Sequence, residues 1–330
     1  MNRRQALIGA AALAACSDAA PAPAPLFPMR RGVNLGNALE APNEGDWGYW
    51  IEPVHLEIIA RAGFDGVRLP VRWDAHTATA TPYLIDEAFM RRVQTVVYGA
   101  LANGLHVQLD VHHFDALIAD PQAQMSRFLG VWRQIARVFA DAPETLLFEV
   151  LNEPHGPHWD GAALTTLQSE ALGVIREHNP QRLVVLGPGN WQNINALRRW
   201  TPPQDEHIAV SVHYYEPHEF THHAAEWLGA EAPRFGREWG RREDIRALEA
   251  HIAEAAHWAR RRSLPLQLGE FGVNRALPMV QRAAWTQAAR RACEAQGMAW
   301  CVWDFAGAFA IWDRDRRVWH PQMLDALFAQ

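Results

Sequence analysis

The chain has 330 residues, a formal net charge of −6 at pH 7 and 49% hydrophobic residues. That length suits a single α/β barrel with long loops, able to bury its core without disulfides or a structural metal. The slight acidity, with Lys and Arg dispersed rather than striped, argues against a nucleic-acid interface.

The N-terminal stretch reads as an export signal rather than as fold. Asn2-Arg3-Arg4 is a positive n-region, and the apolar run from Ala6 to Ala15 is too short to span a bilayer. Leu13-Ala14-Ala15-Cys16 resembles a bacterial lipobox, which makes Cys16 the lipidated first residue of the mature chain; the paired arginines also resemble a twin-arginine signal. The expected division is a signal peptide over 1–15, an Ala/Pro-rich linker over 16–29 and the folded domain over 30–330. The protein is thus expected to be exported, as a periplasmic or outer-membrane-anchored lipoprotein.

Beyond the linker, short apolar runs alternate with amphipathic segments. Strands are predicted over 32–37, 66–71, 106–112, 146–152, 182–186, 208–214, 266–270 and 299–304. Helices are predicted over 53–62, 86–103, 123–140, 162–178, 242–262 and 278–296. Continuous apolar strands separated by helices indicate a parallel sheet covered on both faces, either a (β/α)8 barrel or an open doubly wound sheet. Of the two remaining cysteines, Cys293 falls on a predicted helix and Cys301 in a predicted strand; they read as two buried thiols, with a disulfide between them in an oxidising compartment as the alternative. No CxxC or paired His/Cys spacing suggests zinc, and neither metal nor other cofactor is expected.

Polar residues gather at one end of the runs: Asn37, Arg68, His112, Asn152 with Glu153, His213 with Tyr215, Glu270 and Trp303. In a parallel barrel those ends meet on one face, where such folds place their chemistry. Glu153 and Glu270 close the fourth and seventh strands and so face each other across the mouth. Cleaving a glycosidic bond needs such a pair, one carboxyl to protonate the leaving oxygen and one to attack the anomeric carbon. Two unit charges about 5.5 Å apart at an effective dielectric near 20 repel by roughly 3 kcal/mol, about 2 pKa units, so one partner stays protonated near neutral pH. Arg68 and Tyr215 are placed to hold Glu270 ionised. Asn152 can grip a sugar hydroxyl, His112, His113 and His213 supply neutral donors and acceptors, and Trp303 offers a flat face to a pyranose ring.

On these residues the chain resembles glycoside hydrolase family 5, over roughly Arg31 to Leu327. The motifs are Arg31-Gly-Val-Asn-Leu-Gly-Asn37, Val67-Arg-Leu-Pro70, Asp110-Val-His-His113, Leu151-Asn-Glu-Pro154, Val212-His-Tyr-Tyr215, Leu268-Gly-Glu-Phe-Gly272 and Trp300-Cys-Val-Trp303. The resemblance implies a (β/α)8 TIM barrel with Glu153 as acid/base and Glu270 as nucleophile, supported by Arg68, Asn152, His213 and Tyr215. The segments 36–47 and 219–227 resemble more closely the bacterial endo-β-1,4-glucanases that also cut mannans. That likeness implies a β-1,4-linked polysaccharide substrate and sugar subsites lined by Asn37, Glu40, His112, His113, His222, Trp227 and Trp303. The chain departs from the pattern at Asn190-Trp191, where an acid is expected before the Trp, and at Trp312, where a smaller aromatic is usual; either departure would alter which sugars the cleft accepts.

Two other readings are weaker. A metal-dependent barrel hydrolase using Asp110, His112, His113 and His213 would carry His-x-His on its first strand, which here ends Asn34-Leu-Gly-Asn37. A non-catalytic glycan-binding protein would not need both carboxylates together with Arg68 and Tyr215.

Overall fold

The computed structural model describes residues 25–159 and 161–329; the leader and Cys16 lie outside the described residues. Eight parallel strands follow one another around a closed barrel: β1 (Arg31–Asn34), β2 (Gly66–Leu69), β3 (His106–Asp110), β4 (Leu146–Glu149), β5 (Val184–Leu186), β6 (Ile208–His213), β7 (Leu266–Glu270) and β8 (Ala299–Val302). Pairing of Val33 with Val302 closes the ring, so the sheet is a (β/α)8 barrel and not an open one. All the strands but β7 are shorter than the apolar runs suggested. Asn37 and Asn152 lie three residues past the last paired residues of β1 and β4, because each run leaves its ladder to turn across the mouth.

The helices over Pro53–Ala62, Glu87–Ala102, Pro121–Val138, Gly161–Arg176, Arg242–Arg260 and Met279–Ala295 fall within two residues of the sequence expectation, and a further helix, Pro321–Phe328, was not foreseen. Their logic is local. In Glu87–Ala102, the Asp86 side chain accepts the Phe89 N–H at the start, while Phe89, Met90, Val93, Val96, Val97 and Ala100 form one buried stripe. Among the described residues no helix is long and apolar enough to cross a membrane.

Two apolar compartments result. The larger lies between strands and helices; the smaller fills the barrel's N-terminal end with Phe27, Met29, Leu147, Val185, Ala209, Ala299 and Cys301. Phe27 and Met29 are 1% and 0% exposed, so the folded domain begins before residue 30 and the expected linker boundary is corrected. Gly66 admits this plug: a Cβ there would stand 2.4 Å from the Met29 sulfur. Cys293 and Cys301 are both buried free thiols. Above the plug the barrel interior turns polar, with Asn34, Arg68, Gln108, Glu149, Ser211 and Gln267 all fully buried.

Candidate active site

Arg68 on β2 is the hub of that polar layer. Each of its five N–H donors has an acceptor. Nε donates to Glu149 Oε2 at 2.6 Å, Nη1 to Asn34 Oδ1 at 3.0 Å and Glu270 Oε1 at 2.7 Å, and Nη2 to Glu149 Oε1 at 3.1 Å and Asn152 Oδ1 at 2.8 Å. Burial works against its charge, yet Glu149, Asp110 and Glu270 raise its pKa well above the ordinary value, so it stays cationic. Burial opposes the charge of Glu149 too, but Arg68 and Gln108 bring it down to about 2. Asp110 lies 2.8 Å from Nη2, but the donors are taken by other acceptors, and burial lifts it to about 8.

Above this layer Glu153 and Glu270 meet around His213. His213 Nδ1 lies 2.8 Å from Glu153 Oε1 and 3.6 Å from Glu270 Oε2. One side-chain donor atom from each of the three lies within 4.8 Å of the other two. Tyr215 donates to Glu270 Oε2 at 3.0 Å. Burial pushes each carboxyl up to about 7, and it lowers the pKa of His213, which is therefore neutral. The donors distinguish the pair. A guanidinium and a phenol donate to Glu270 alone, so the first proton lost leaves Glu270 while Glu153 keeps its own.

The rim holds most of the remaining expected residues. His112 stacks on Trp303, centroids 5.8 Å apart at 7°, and its Nδ1 meets Asp110 Oδ2 at 2.8 Å. His113 abuts Trp47 edge-on. Asn37, Trp47 and Trp227 line a depression of about 210 Å³ with Asn274, Arg275 and Arg314. His222 stands against Tyr215, Trp227 and Phe309.

Glu40 is 1% exposed, and its carboxyl accepts the backbone N–H groups of Asn37 and Ala38. It holds the loop that presents Asn37. One expectation is corrected: Trp312 belongs to the core, 3% exposed and stacked on Phe305, whereas Trp191 is half exposed beside the Glu153 loop.

Sequence reasoning missed Glu149, Gln108, Asn34 and Gln192, which fix Arg68 and the Glu153 loop. Glu149 and Gln108 had a signal, a polar residue inside an apolar strand run; Gln192 had none.

Comparison with known proteins adds to this geometry. Residues 37–308 match the family model described as cellulase (glycosyl hydrolase family 5). Endoglucanase H of Acetivibrio thermocellus is 36% identical over 91% of this chain, and endoglucanase A of Ruminococcus albus 29% identical over 88%. The chain spans 33% of the length of the first and 87% of the second. Among solved structures, an endoglucanase superposes with a TM-score of 0.89 at 40% identity, covering 92% of this chain and 97% of that one. Thermotoga maritima Cel5A in complex with mannotriose superposes with a TM-score of 0.88 at 39% identity, covering 91% and 97%.

Proposed function

The chain belongs to the cellulase family, glycosyl hydrolase family 5, and from that premise we propose that it is a retaining endo-β-1,4-glucanase with Glu153 as acid/base and Glu270 as nucleophile. The observation that carries the assignment is the asymmetry of donors: Arg68 and Tyr215 reach Glu270 and not Glu153. Glu270 attacks the anomeric carbon as Glu153 passes its proton to the departing oxygen; the glycosidic C–O bond breaks and a glycosyl ester forms on Glu270. Esterification removes the Glu270 charge, so the proton affinity of Glu153 falls. Glu153 then takes a proton from water as the water oxygen attacks the anomeric carbon, the bond from that carbon to the Glu270 carboxylate oxygen breaks, and the sugar leaves with Glu270 restored. Retention is supported by the closeness of the pair, since an inverting enzyme needs about 6.5–9.5 Å between carboxyls to seat a water. The endo-acting β-1,4-glucan reading is supported by relatives named endoglucanase.

The proposed substrates are cellulose-type and mixed-linkage glucans and glucomannan. Mannan is the second reading, favoured by the related structure with mannotriose and by the stacking face of Trp303, which suits the C–H side of either epimer. The test is NMR of the first product together with reducing-sugar release from carboxymethyl cellulose, mixed-linkage glucan, glucomannan and galactomannan. A first-formed β-anomer and cleavage of the glucans are expected. An initial α-anomer would sink the double displacement. A preference between matched gluco- and manno-oligosaccharides beyond about a thousandfold would show a cleft dedicated to one epimer.

A further inference from the structure

Glu153 sits on backbone that its surroundings must impose. Its φ is +45°, in the left-handed region that residues with a side chain avoid. The restraint comes from the turn after β5, where Asn190, Trp191 and Gln192 have φ of 54°, 57° and 52°. Left-handed residues other than glycine occur singly as a rule, so three in succession mark a turn held in place by its contacts.

This turn grips the Glu153 loop at three points. Gln192 Oε1 accepts the Glu153 N–H at 2.8 Å, the Trp191 N–H donates to the Pro154 carbonyl at 3.2 Å, and the Trp191 ring stacks on His155 at 4.6 Å. Gln192 is fully buried and its amide has one orientation. Nε2 donates to Glu149 Oε1 at 3.2 Å and lies 3.5 Å from the Ser211 carbonyl, and both of these groups are acceptors. Gly187 makes the space, since a Cβ there would stand 2.3 Å from Gln192 Nε2.

We infer that Gln192 is a positioning residue for the acid/base, its amide fixing the Glu153 main chain and joining it through Glu149 to the arginine that holds the nucleophile. The inference rests on the assignment of Glu153 proposed above. The relay runs from the Glu153 N–H to Gln192, from Gln192 to Glu149, and from Glu149 through Arg68 to Glu270. Its effect falls first on proton delivery, because Gln192 contacts the Glu153 main chain directly and reaches Glu270 only through Glu149 and Arg68. Around Glu153, the charged and titratable groups Arg68, Asp110, Glu149, His155, His213, Tyr215 and Glu270 all come from other positions and remain in every Gln192 variant.

Gln192→Met keeps the volume without the amide, and Gln192→Glu keeps the shape while setting a carboxyl against Glu149. Each is compared with wild type and with Glu153→Ala on cellopentaose and on 2,4-dinitrophenyl β-cellobioside, whose leaving group needs no proton. In both Gln192 variants kcat/KM on cellopentaose should fall about 10- to 100-fold, carried by kcat, while the aryl glycoside loses less than about threefold. In Gln192→Met the basic limb of the cellopentaose pH profile should move to lower pH, as Glu153 loses the enclosure that raises its proton affinity; the added carboxyl of Gln192→Glu acts in the opposite sense when ionised, so that variant is judged on the substrate split alone. Equal losses on both substrates, or no loss and an unmoved limb, overturn the inference. If Glu153→Ala itself hits both substrates equally, the acid/base assignment fails instead. Should Gln192→Met not fold by circular dichroism, the isosteric Gln192→Glu decides alone.

Discussion

Glu153 and Glu270 share His213 and differ in nearly everything else that touches them, and that difference is what makes their substitutions distinguishable. Glu270→Ala should lose nearly all activity, and azide should restore part of it with an α-linked azide as product. Glu153→Ala should lose the polysaccharide by a hundredfold or more, on the order of general-acid catalysis, while keeping aryl glycosides with good leaving groups. Initial rates on the two substrate classes check both; an active Glu270→Ala would reverse the assignment. At this scale the sequence was most informative where chemistry is written in residue type, as in the Asn152-Glu153 and Glu270 motifs. It did not show that the Glu40 carboxyl also braces its own loop, because a hydrogen bond to two nearby backbone N–H groups leaves no mark in residue type. Gln192 was invisible, since its role depends on three left-handed residues, Asn190, Trp191 and Gln192, none of which is a glycine.

Among the elements, strand order and helix spans were legible because apolar periodicity encodes burial. Strand ends were not, because a run stays apolar after it leaves the ladder, as from Asn34 to Asn37 and from Glu149 to Asn152. Trp312 read as a cleft residue and proved to be core, since an aromatic near a motif carries no mark of which way it faces. The boundary at residue 30 failed for a different reason: Phe27 and Met29 follow an Ala/Pro run, and their partners come from distant strands. Met29→Ala should therefore cost about 2–5 kcal/mol, the usual price of emptying a buried methionine site, with kcat unchanged. Denaturant unfolding and steady-state rates measure the two separately. A variant as stable as wild type would mean that the barrel closes without its plug.

For the whole molecule, the eight-strand barrel followed from the alternation of runs, and its closure required the β1–β8 pairing that only coordinates supply. Its pH response comes from many buried groups acting together. Burial raises Glu40 and Asp110 to about 8 and Glu153, Glu270 and Asp304 to about 7. Such carboxyls bind their protons more tightly when folded, so the stability they add is complete below their unfolded values, 4.5 for Glu and 3.8 for Asp, and is lost as pH rises through 7 to 8. His113 and His222, lowered to about 3 by burial, act in the opposite sense, but only below their unfolded value of 6.5. Between pH 6.5 and 8 these carboxyls dominate, and Tm should fall across that window and level off above it; a flat or rising Tm by calorimetry between pH 6.5 and 8 would contradict this. We also propose, from the Leu13–Cys16 motif, that the mature protein is lipid-anchored. Wild type should fractionate with membranes and Cys16→Ala should not.

The plug of Phe27 and Met29 also fixes where the chain enters the molecule. It comes in at the pole opposite Glu153 and Glu270. An attachment made at that end, whether to a bilayer or to a resin bead, joins the closed base of the barrel and leaves the mouth that carries the catalytic pair unobstructed.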